Sequence, residues 1–147
     1  MIKQLILLFH VFGVFFYQII FSGDITVSQQ LPGTMQAGSE IVVEIIVHKN
    51  DVTGFAKVQQ EIPQGFSVEE IDTKGATFSF KENKVKFIWM ALPSDEEFTI
   101  SYKLKADATL TGDFTFGGKF SFITNSERKN IEIAKATISV TEELVAA

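Results

Sequence analysis

One histidine and a few neighbouring carboxylates are the side chains in this sequence best suited to catalysis, and their spacing argues against it. Past the N-terminal apolar run His48 is the sole histidine, so neither a multi-histidine metal site nor a His pair can be assembled. A Ser-His-Asp arrangement would have to recruit His48, yet no Gly-x-Ser-x-Gly elbow is present. Glu69-Glu70, Asp95-Glu96-Glu97 and Glu142-Glu143 are neighbouring carboxylates. Glycoside hydrolysis needs two that face each other across a cleft, which adjacency in sequence does not provide. Asp51, Asp72, Asp95 and Asp113 could offer loop oxygens to calcium, but the spaced Asp-x-Asp-x-Asp-Gly loop is missing. Gly117-Gly118 lies inside a strand pattern with no helix after it, so it is not a phosphate-cradling loop. No cofactor or metal is expected, and the chain reads as a non-enzyme.

The chemistry left is binding. Val42, Ile46, Ile88, Met90 and Ile123 stand at positions whose parity points them away from a core. With Lys57, Gln59, Lys86 and Lys119 as a polar rim, Ile88 and its neighbours could form a partner-binding patch. The residues assigned to partner binding are Lys57, Gln59, Lys86, Ile88 and Lys119.

Strands must position these side chains. Apolar and polar residues alternate with period two in Val85-Lys86-Phe87-Ile88-Trp89 and in Phe98-Thr99-Ile100-Ser101-Tyr102-Lys103-Leu104. Turn signals recur at Pro32-Gly33, Lys49-Asn50-Asp51, Pro63-Gln64-Gly65, Lys74-Gly75, Glu82-Asn83, Pro93-Ser94-Asp95, Thr111-Gly112-Asp113 and Asn125-Ser126. Between them the pattern predicts about nine strands, over 25–29, 40–48, 54–62, 66–71, 76–81, 84–90, 97–105, 114–124 and 131–140. The fold class is all-β, an antiparallel β-sandwich of immunoglobulin-like or cohesin-like type. Ile41, Val43, Ile45 and Val47 form one inward row, Val85, Phe87 and Trp89 a second, and Phe98, Ile100, Tyr102 and Leu104 a third. Ala56, Val58 and Ile62 form a weaker row interrupted by Gln60. Phe114, Phe116, Phe120 and Phe122 share a face if 114–124 is one strand, the preferred reading over a Gly-Gly hairpin. Gly118 then marks a bulge or a close approach of another backbone. Such a ladder belongs to a core rather than to a sugar-stacking platform.

Composition bounds the partners. The 147 residues carry a formal net charge of −5 and no cysteine, so disulfides, thiolate metal sites and cysteine nucleophiles are excluded. An acidic chain is not expected to bind nucleic acid. Met1-Ile2-Lys3 followed by the apolar run Leu5 to Phe21 resembles a secretory signal peptide, with an uncleaved membrane anchor as the alternative. Expected boundaries are 1–23 for this leader, 24–141 for the sandwich and 142–147 for a tail. Either leader places the domain outside the cytoplasm, in the periplasm, on the outer surface or secreted. Membrane contact is expected only if the leader stays on.

Gly38-Ser39-Glu40-Ile41-Val42-Val43-Glu44-Ile45, Ile62-Pro63-Gln64-Gly65-Phe66, Val85 to Trp89 and Phe98 to Lys105 together resemble the conserved repeat domain of bacterial surface proteins. Val85 to Ala91, Phe98 to Ala106 and Ala136-Thr137-Ile138-Ser139-Val140 are similar to the cohesin-like sandwich. Ile62 stands where the repeat domain has the leucine of its Leu-Pro turn, and no dockerin-contacting motif can be matched residue by residue. These resemblances imply a non-catalytic module for protein interaction or structural support at a bacterial envelope. The partner so implied is an envelope or extracellular protein. A carbohydrate-binding module, or less directly an accessory to a polysaccharide-active enzyme, is the alternative, with polysaccharide as partner.

Overall fold

A computed structural model describes residues 25–142. The leader expected over 1–23 and residues 143–147 of the expected tail lie outside the described residues. Ten strands are described: β1 (Thr26–Gln30), β2 (Thr34–Gln36), β3 (Glu40–His48), β4 (Ala56–Glu61), β5 (Phe66–Asp72), β6 (Thr77–Lys81), β7 (Lys84–Trp89), β8 (Glu97–Ala106), β9 (Gly112–Thr124) and β10 (Glu127–Thr141). They form a four-stranded sheet of order β1-β3-β8-β5 and a six-stranded sheet of order β2-β10-β9-β4-β7-β6.

The alternation seen in the sequence becomes the space between the sheets. Val43, Ile45, Val47, Ile100, Tyr102 and Leu104 of one sheet meet Val58, Val85, Phe87, Trp89, Phe116 and Phe120 of the other, all buried. Trp89 packs edge-on to Phe98 with ring centres 5.4 Å apart, and its indole N–H donates to the Lys74 carbonyl at 3.0 Å. Phe116 and Phe114 both pack edge-on against Phe66, at 5.3 and 5.2 Å. The phenylalanines of β9 thus line one long strand and face the core.

Gln60 interrupts its apolar row because it holds the sheets together. Fully buried, it accepts a hydrogen bond from the Tyr102 hydroxyl and donates to Gln29 Oε1 at 2.5 Å. Gln29 in turn donates to the carbonyls of Phe116 at 3.0 Å and Ala134 at 2.7 Å. The register of β9 and β10 shifts between Ile133 and Ala136, and a strand irregularity leaves carbonyls that need donors. Gln29 supplies them, so the side-chain amides of both Gln29 and Gln60 have partners. Burial pushes the Tyr102 phenol well above its ordinary pKa, so it stays a donor.

The structure corrects several boundaries. β2 falls between the strands expected over 25–29 and 40–48 and is none of the nine; its three residues are too few to show alternation, yet they pair in parallel with β10. One pair of the sandwich is therefore parallel. β10 starts at Glu127 rather than 131 because Asn125 and Ser126 both have positive φ, 50° and 63°, and this tight turn forces pairing on the polar stretch 127–130. Glu82 and Asn83 make the same kind of turn between β6 and β7, with φ of 53° and 61°. Residues 54 and 55 precede β4 instead of beginning it. Ile41 is half-buried at the rim of the core rather than inside it.

Candidate interaction face

Outward-pointing residues of β4, β7 and β9 build the site. On the outer surface of the six-stranded sheet, Gln59 of β4 lies between Lys86 of β7 and Lys119 of β9. In the next row Lys57 lies between Ile88 and Ser121. Cross-strand neighbours stand about 4.5–5.5 Å apart at Cβ. All the residues assigned from sequence to partner binding, Lys57, Gln59, Lys86, Ile88 and Lys119, are therefore brought together on one face. The rows extend to Ser79 and Thr77 on β6 and to Glu132 and Asn130 on β10.

The apolar half of the expected patch divides between two sheets. Val42 and Ile46 lie on β3, on the outer surface of the four-stranded sheet, so they cannot share a patch with Ile88. Met90 and Ile123 do share it. The pairing of Ala56 with Trp89 and Phe122, continued by one residue, sets Phe55 between Met90 and Ile123. These three are 44%, 83% and 43% exposed for Phe55, Met90 and Ile123 respectively. Together with half-buried Ile88 they make an apolar corner at the end of the sandwich where β4 begins.

Charge is the other property of this face. Lys84 and Arg128 join Lys57, Lys86 and Lys119 there, Lys84 opposite Glu61 and Arg128 opposite Ile123. Partial burial, then the charges of Arg128, Lys86, Lys119 and Lys84 in that order, hold the Lys57 ammonium below the ordinary lysine range. Sequence parity could have found Phe55 and Lys84, which share the outward phase of Lys57 and Lys86. Arg128 needed the register across the Asn125-Ser126 turn.

A depression of about 270 Å³ lies beside these cations, over Gly117 and Gly118 and bordered by Gln59, Glu61, Lys119 and Lys135. Gly117, where a Cβ would meet only the Lys135 side chain at 3.5 Å, leaves it open. A Cβ on Gly118 would lie 2.4 Å from the Gln59 carbonyl oxygen, so β4 and β9 can approach only with glycine here.

His48 ends β3 with its Nδ1 4.0 Å from Glu97, and Asp95 and Glu96 stand on an exposed loop. Among the described residues no three His, Cys, Asp or Glu side chains gather as metal ligands would. A cavity of about 580 Å³ is bounded by Gly38, Gly65, Phe66 and residues 105–108, with Lys105 and Asp107 as its charged groups.

Solved structures share this architecture. A non-cellulosomal cohesin from the hyperthermophilic archaeon Archaeoglobus fulgidus is similar with a TM-score of 0.56 and 14% identity, over 81% of this chain and 92% of that one. The CARDB domain of a Pyrococcus furiosus protein, solved in complex with di-metal ions, gives 0.51 and 14% over 82% and 94%. A solution structure of that CARDB domain gives 0.50 and 15% over 82% and 96%. No family model and no curated protein sequence matches the chain. The likeness is one of fold, and the fold is a cohesin- and CARDB-like β-sandwich.

Proposed function

We propose that the chain is an exported, non-catalytic interaction module that docks another envelope or extracellular protein on the outer face of its six-stranded sheet. The observation carrying this reading is the gathering of Lys57, Gln59, Lys86, Ile88 and Lys119 beside the exposed Phe55, Met90 and Ile123. An apolar cluster with a polar rim is the composition of a protein interface. The cohesin-like fold agrees with the interaction module that the sequence resemblance implies. Export rests on the sequence of the leader. A sugar platform is not favoured, because the phenylalanine ladder of β9 is turned inward.

Capture from an envelope fraction tests the face. A partner retained by the native chain and by Val42→Ser, but reduced by about tenfold or more in Ile88→Ser/Met90→Ser, is the expected result. Equal recovery by all three overturns the docking face. Recovery of the chain itself wholly in the cytoplasmic fraction overturns export.

A further inference from the structure

The distribution of charge identifies the chemistry of the partner, on the premise that the outer face of the six-stranded sheet is the docking surface. The chain carries a net charge of −5, yet Lys57, Lys84, Lys86, Lys119 and Arg128 crowd onto one face, with Glu61 and Glu132 as the acids in the same rows. Away from this face two lysines have carboxylate partners: Lys103 lies 3.5 Å from Glu40 and 4.0 Å from Glu69, and Lys74 lies 3.0 Å from Asp72. Among the described residues no cation of the face has a carboxylate within that range, although Glu132 and Glu61 stand opposite Lys119 and Lys84. Lys57 stands diagonal to Lys86 and to Lys119, within reach of long side chains, and like charges so placed repel. A sheet face that crowds these cations together carries an internal cost that an anionic partner would relieve.

We propose that this partner is an acidic protein surface, whose carboxylates meet Lys57, Lys86, Lys119 and Arg128 while its apolar side chains cover Phe55, Met90 and Ile123. Three features favour a protein over other anions. Glu61 and Glu132 border the cations, which would oppose the evenly spaced charges of a polyanionic chain. Phe55 is the one aromatic among the large exposed apolar side chains of the described residues, too little for stacking along a glycan. Asp51, Asp95 and Glu96 are exposed on loops, and Glu97 at the start of β8, at the end where the apolar corner lies, and an anionic bilayer approaching that end would be repelled.

The test uses the full chain and a fluorescent helical peptide with glutamates along one stripe and leucines along the next. Binding should weaken by about tenfold or more when salt rises from about 0.05 to 0.5 M. It should weaken by a similar factor in Lys57→Glu/Lys86→Glu and, independently, in Phe55→Ser/Met90→Ser, with thermal midpoints showing that each variant is folded. Lys103→Glu on the opposite sheet should bind as the native chain does. Absence of binding, or binding unchanged by charge reversal, overturns the proposal. Tighter binding of heparin or of phosphatidylglycerol vesicles than of the peptide also overturns it, as does sedimentation as a dimer that charge reversal dissolves, which assigns the face to a second copy. Loss of the captured envelope partner in Ile88→Ser/Met90→Ser but not in Lys57→Glu/Lys86→Glu would leave the docking face standing and remove only its acidic occupant.

Discussion

At the scale of single residues the most informative position is Gln60. A polar residue in an apolar row reads in sequence as a weakness, and the structure makes it the centre of a chain from Tyr102 through Gln60 and Gln29 to the carbonyls of Phe116 and Ala134. Buried hydrogen bonds contribute modestly when made and cost more when one partner is removed. Tyr102→Phe leaves Gln60 Oε1 without this donor while keeping the ring, so the expected loss is about 1–3 kcal/mol, read as a lower denaturant midpoint. The sequence could not reveal this network, because its members are 31 and 42 positions apart and nothing local to Gln60 names Gln29 or Tyr102. Parity did reveal the buried state of Trp89, Phe87, Ile100 and Tyr102, since each strand repeats its message over several residues.

Elements were legible in proportion to how much they alternate. β7 and β8 bury every second residue, β3 does so from Val43 onward, and all three were recognisable from the pattern. β2 is short, and the start of β10 is polar on both faces, so neither carries a periodic signal. The glycine pair of β9 separates two physical situations that sequence shows as one. Gly118 meets the backbone of β4 on the side where a Cβ would stand, whereas at Gly117 a Cβ would touch only the Lys135 side chain, 3.5 Å away. Gly118→Ala should therefore push β4 from β9 and cost about 1–3 kcal/mol, as overpacking does. Gly117→Ala should change the unfolding midpoint by much less. Equal effects of the two would contradict the close approach.

For the molecule as a whole, the sequence gives the net charge but not its division between two faces, because strand order decides which lysines become neighbours. Charge crowding has a measurable sign. The folded pKa of Lys57 lies below its ordinary value, so its contribution to stability is present above the ordinary lysine pKa and lost as pH falls. At neutral pH the charged side chain is thus a small cost to the fold. Lys57→Gln should leave the unfolding midpoint unchanged or raise it, by roughly 0.2–1 kcal/mol, while weakening the acidic peptide. A clear fall in midpoint would show that Lys57 serves the fold instead. The chain path adds a mechanical consequence. β1 begins opposite His48 and runs in the direction of β10, and β2 continues that course, parallel to β10 at Ser139 to Thr141. Ile25 and Glu142 thus emerge at opposite ends of the sandwich. Tension drawn between those points slides β1 along β3 and β2 along β10, so their hydrogen bonds carry the load together and yield in concert rather than opening one after another.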